Sequence, residues 1–101
     1  MYTKDNIKKL ARINELAPAT HQAFAAYDAA ALADGVIPKK YKELMAIAVA
    51  LTTQCPYCIE IHRKAALRAG VTEAELAETI HVAAALRAGA AVTHGTHLFE
   101  S

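Results

Sequence analysis

Gln54-Cys55-Pro56-Tyr57-Cys58-Ile59-Glu60-Ile61-His62 is the stretch from which the rest of this 101-residue chain is read. Pro56 fits the first turn of a helix, where its missing N–H costs nothing. Cys55 then falls at or next to the N-cap and Cys58 near N3, one turn in. Two thiols at i and i+3 can cycle between dithiol and disulfide. His62, four residues beyond Cys58, shares its helix face. The unpaired N–H groups and positive end of a helix favour thiolate over thiol, and the thiolate is the nucleophile. The stretch therefore predicts a helix that begins with redox or nucleophilic chemistry. Two orders are open at this point. Cys58 has the histidine neighbour, whereas Cys55 lies nearest the helix end, as in a thioredoxin-like arrangement.

Upstream, Pro38 opens a helix running to about Thr52. Its centre, Leu44 to Leu51, is apolar nearly all round, which predicts the buried helix of the domain. Glu43 is the acidic group just before that run, and by itself reads as a solvated first-turn carboxylate complementing the helix dipole. Further upstream, Ile7, Leu10, Ile13 and Leu16 form one stripe of a helix from about Thr3 to Leu16. A second helix opens at Pro18, carries Phe24, Tyr27 and Leu32, and is expected to stop at Asp34-Gly35. Downstream, the Cys55 helix closes at Gly70, and Thr72-Glu73-Ala74-Glu75 has the form of a capping box for the next. Gly89 is expected to mark a bend or break before a last short helix through Thr93, with a loose tail from Gly95 to Ser101. No segment alternates as a strand does. The fold class is all-α, a bundle of five to six helices in one domain, 1–101.

The apolar share is 54%, much of it alanine, with no tryptophan. Alanine packs helices closely but buries little area, which points to further burial between subunits. A net charge of +1 gives no case for nucleic acid. Lys39, Lys40 and Lys42 read as a solvated helix start. No apolar run approaches the roughly 18–20 residues that span a bilayer. Met1 to Asp5 lacks the apolar core of a secretory signal, so a cytoplasmic location is expected. In a reducing compartment a C-x-x-C pair is more often catalytic or metal-binding than structural.

The run from Glu43 through Ala50 into Gln54-Cys55-Pro56-Tyr57-Cys58 and Ile61-His62, followed by Ala69 to Glu75, resembles the alkylhydroperoxidase AhpD core of the carboxymuconolactone decarboxylase-like superfamily. The match covers about Ala23 to Thr93. The resemblance implies an AhpD-like helical bundle and a thiol peroxidase. Cys58 would be the peroxidatic cysteine and Cys55 the resolving one, joining in a Cys55–Cys58 disulfide. His62 and Glu43, with a water, would form the proton relay. The substrate would be a hydroperoxide and the reductant an external dithiol, in known members a lipoylated protein. Short members assemble into larger homo-oligomers, commonly hexamers. Tyr57 departs from the prototype, which carries a second histidine between the cysteines.

Three other readings compete. Zinc could use Cys55, Cys58 and His62, but needs a fourth ligand, for which His94 and His97 lie in a weakly patterned tail. Lactone decarboxylation does not need the cysteine pair. A scaffold with an inert thiol pair would show an ordinary thiol pKa. His21 reads as a surface residue, His81 as a partly buried one, and Tyr27 and Tyr41 as core-edge aromatics.

Overall fold

A computed structural model of the protein describes residues 3–100, all-helical and without strands among them. A 3-10 turn, Lys4–Lys9, leads into α1, Leu10–Leu16; α2 is Pro18–Leu32, α3 Lys39–Thr53, α4 Pro56–Arg68 and α5 Glu73–His94. A second 3-10 turn, Gly95–Leu98, follows, and Ser101 of the expected tail lies outside the described residues.

Packing centres on α3, which lies against both α4 and α5. Ile47 of α3, Ala66 of α4 and Val71 form the buried core, with Leu44, Leu51 and Leu76 against them. Ala66 is wholly inaccessible, and Ala50 and Ala83 are also buried. Side chains this small let helix axes approach at the short end of the usual 8–10 Å. The turn after α4 uses Gly70 at φ +88°, a conformation that a Cβ disfavours. Thr72 then caps α5: its hydroxyl accepts from the Glu75 N–H at 3.2 Å, and the Glu75 carboxylate accepts from the Thr72 N–H at 2.8 Å.

Several expectations are corrected. The first helix is split, its first six residues, Lys4–Lys9, being 3-10. α2 ends at Leu32, with Ala33 already extended; Asp34 instead accepts the N–H of Lys39 at 2.6 Å and so serves the start of α3. α5 runs unbroken through Gly89, because one glycine costs a helix only about 1 kcal/mol and no new cap follows it. α3 is not buried all round: Met45 and Val49 are exposed. His81 is exposed, and so are Tyr27 and Tyr41. The α3 lysines are partnered rather than free: Lys40 pairs with Glu75 at 3.0 Å, Lys42 donates to the Ala33 carbonyl at 2.7 Å, and Lys39 reaches Glu43.

The chain on its own is open. Its radius of gyration is 16.9 Å, against about 13 Å for a compact domain of this length. Its accessible surface is 7844 Å², where folded monomers of 10.8 kDa expose about 5500 Å². Phe24, Tyr27, Leu86, Val92 and Phe99 are among the large apolar side chains left uncovered. No helix among the described residues is long and apolar enough to cross a membrane.

Candidate active site

The cysteines owe their placement to the way α3 ends. Gln54 adopts the left-handed conformation, φ 56° and ψ 47°, and its N–H returns to the Ala50 carbonyl, as does that of Cys55. A non-glycine residue pays about 1 kcal/mol or more for that geometry. It is held by neighbours: Thr52 and Thr53 hydroxyls donate to the Val49 carbonyl, and Arg87 of α5 donates to that of Thr52 at 3.1 Å. The reversal delivers Cys55 directly to the N-cap of α4, with Pro56 at the first helical position.

Cys55 and Cys58 are joined as a disulfide, with Cα atoms 5.3 Å apart. The Cys55 sulfur also accepts the Cys58 N–H at 3.2 Å, taking the place of a serine or aspartate cap. Tyr57 lies between them, and its hydroxyl accepts from the Asn6 side-chain amide at 3.0 Å and the Thr3 N–H at 3.3 Å. Glu60 forms ion pairs with Lys4 and Lys64, off the face that carries Cys58 and His62.

Glu43 is 1% exposed, the largest fully buried side chain among the described residues. One oxygen, Oε2, meets His62 Nδ1 at 2.9 Å; the other, Oε1, accepts from Lys39 Nζ at 3.0 Å. Burial works to raise the Glu43 carboxyl, but hydrogen bonding and charge from His62 and Lys39 outweigh it and hold the group below its ordinary value. A carboxylate only accepts, so the hydrogen-bond network assigns the proton in this contact to Nδ1. Nε2 is then the nitrogen through which the neutral ring can take up another proton.

A cleft of about 300 Å³ opens beside this pair, with Cys58 and His62 on one wall and Leu32, Val49 and Ala50 among its apolar lining. Asp28 of α2 places a carboxylate on its lining. All four sequence-expected residues thus fall in one region: Glu43 contacts His62, His62 shares the cleft with Cys58, and Cys58 is bonded to Cys55. Lys39 was not among them, although its i,i+4 spacing from Glu43 on α3 is a recognised pairing signal. No group of three or more His, Cys, Asp or Glu among the described residues is placed to hold a metal. His94 and His97 meet each other edge to face at 4.9 Å.

Comparison with known proteins agrees with this architecture. The family model described as "Carboxymuconolactone decarboxylase family" matches residues 18–101. A Paracoccus denitrificans protein described as uncharacterized protein 4 in cox locus is 51% identical over 72 residues, 71% of this chain and 65% of its own. An uncharacterized protein of Cupriavidus necator is 33% identical over 75 residues, 74% of this chain and 66% of its own. The matched region thus spans just under two thirds of the length of these curated relatives. Among solved structures, an apo carboxymuconolactone decarboxylase family protein from Legionella pneumophila superposes with TM-score 0.78 at 37% identity, covering 83% of this chain and 75% of that one. A protein from Methanobacterium thermoautotrophicum superposes with TM-score 0.82 at 33% identity, covering 87% and 99%. With a family match from the start of α2 onward and a shared helical architecture, the chain belongs to the carboxymuconolactone decarboxylase family.

Proposed function

We propose that this protein is a thiol-dependent peroxidase of the alkylhydroperoxidase type. The observation that carries the reading is the buried Glu43–His62 hydrogen bond beside the cleft that Cys58 and His62 line. A dithiol pair with an adjacent ionised acid–imidazole couple suits a reaction that must move protons as it moves electrons.

In the proposed cycle His62 accepts the Cys58 proton, and the ionised Glu43 stabilises the resulting imidazolium. The Cys58 thiolate attacks the terminal peroxide oxygen. The S–O bond forms, the O–O bond breaks, and the leaving alkoxide takes the proton back to depart as an alcohol. Cys58 is now a sulfenic acid. The Cys55 thiol attacks its sulfur, water leaves, and the Cys55–Cys58 disulfide results. An external dithiol, such as a lipoylated protein, reduces that disulfide by exchange and becomes a disulfide itself. Hydroperoxide and two thiols thus give alcohol, water and one disulfide. The apolar cleft wall of Leu32, Val49 and Ala50 suits an alkyl substituent.

The uncovered apolar side chains and excess surface favour a homo-oligomer, with a hexamer expected from the family resemblance. A second reading, a disulfide oxidoreductase with little peroxide turnover, is favoured by the Cys58 N–H directed at the Cys55 sulfur, which would support a thiolate on Cys55. Lactone decarboxylation makes no use of the pair. Peroxide consumption with dihydrolipoamide as reductant, for wild type and Cys58→Ser, tests the proposal. Turnover in the first and none in the second is expected; equal rates would refute it.

A further inference from the structure

Lys39 stands apart from its neighbours at the start of α3. Lys40 pairs with Glu75, and Lys42 donates to the Ala33 carbonyl. The Lys39 ammonium instead spans two groups, Glu43 Oε1 at 3.0 Å and the carbonyl of Leu32, the last residue of α2, at 3.3 Å. Leu32 is part of the cleft wall, and Glu43 holds His62. One side chain outside the cysteine motif therefore touches both the cleft and the acid–imidazole couple.

We infer that Lys39 is a positioning residue of the thiol site: its ammonium keeps the buried Glu43 a carboxylate and directs the free oxygen to His62 Nδ1. A carboxylic acid as deeply buried as Glu43 stays neutral unless a positive charge or donors compensate for the lost water. A neutral Glu43 would carry a proton it could donate to Nδ1, and the ring would then hold its own proton on Nε2. His62 could no longer accept from Cys58 through that nitrogen. Lys39 forecloses that state by occupying one oxygen and supplying the charge. The i,i+4 spacing and the anchor on Leu32 fix where the ammonium sits.

Titratable groups on the neighbouring elements have partners or places of their own. On α4, His62 faces Glu43 and Cys58 shares its cleft. On α5, Glu75 is taken up by Lys40 and the Thr72 cap. On α2, Asp28 lines the cleft with His62. The catalytic consequence of this role rests on the peroxidase reading, whereas its electrostatic consequence does not.

The test is a carbon-13 titration of the Glu43 side-chain carboxyl in the full chain, assigned by its loss in Glu43→Gln. Lys39→Met, Lys39→Gln and Lys39→Arg are titrated beside wild type. The Met and Gln variants are expected to raise the Glu43 midpoint by at least about one pH unit, and Lys39→Arg to leave it low. The acid limb of the peroxide rate should shift in Lys39→Gln and stay in place in Lys39→Arg. Lys39→Gln keeps a donor at the position, so it decides the matter if Lys39→Met fails to fold. An unmoved midpoint in the Gln variant, or a rise in Lys39→Arg equal to that in Lys39→Gln, would overturn the inference. If the midpoints shift as stated while wild type is inert to peroxide, the peroxidase reading fails and the role of Lys39 stands.

Discussion

Glu43 Oε2 and His62 Nδ1 stand 2.9 Å apart, joining α3 to α4 across 19 residues of sequence. The carboxylate is buried and the imidazole reaches the cleft, so the pair connects the protein interior to the thiol. Glu43→Gln preserves the shape but cannot stabilise an imidazolium by charge. The rate of Cys58 oxidation should fall by about 10²-fold or more, while exchange at Cys55 persists. Stopped-flow measurement of peroxide reduction, beside thiol–disulfide exchange with a small disulfide, checks both halves.

The same carboxylate makes stability depend on pH. Its folded-state pKa lies below the unfolded value, because His62 and Lys39 together outweigh burial. Glu43 therefore contributes stability that is fully present above the ordinary carboxylate pKa of about 4.3. That contribution is lost as pH falls through the lower folded value. Urea midpoints for wild type and Glu43→Gln should differ most near neutrality and converge below pH 4. A gap that is constant with pH would contradict this.

Gly70, at φ +88°, closes α4 with open space where a Cβ would stand. Gly70→Ala should cost about 1 kcal/mol through backbone strain alone. Thermal melts should show a lower midpoint with unchanged helical content. Thr72→Ala should cost a similar amount, about 1 kcal/mol, by removing the α5 cap.

α1 and α2 leave Leu16, Phe24 and Tyr27 largely exposed, and α5 leaves Leu86 and Val92 exposed. Sedimentation velocity should give a hexamer at micromolar concentration, and Phe24→Glu should yield smaller species. A stable wild-type monomer would refute the proposed oligomer.

Local signals made much of this legible in sequence. Pro18, Pro56, Gly70 and the Thr72–Glu75 box each mark an element boundary that the structure shares. Partners distant in sequence were not legible from local pattern, and the Glu43–His62 pairing was reached only through the family resemblance. The i,i+4 spacing offers Lys39 as a partner for Glu43 but does not say that Glu43 is buried, which depends on His62, 19 residues away, and on where α2 ends beside Lys39. Sequence placed Phe24 and Tyr27 on one helix, with Tyr27 at the edge of the core, but not that the chain itself leaves both uncovered. Gly35 and Gly89 misled because glycine is a stop signal only with a cap or a left-handed turn beside it, and neither site has one.

The assignment of Cys58 as the attacking thiol and Cys55 as the resolving one is tested most directly by mass spectrometry after a brief peroxide pulse. The reduced protein is compared with its Cys55→Ser and Cys58→Ser variants. Wild type should form the Cys55–Cys58 disulfide, Cys55→Ser should accumulate sulfenic acid on Cys58, and Cys58→Ser should remain unreacted. Sulfenic acid on Cys55 of the Cys58→Ser variant at the wild-type rate would reverse the roles, and reaction of neither cysteine faster than a free thiol would contradict the peroxidase account altogether.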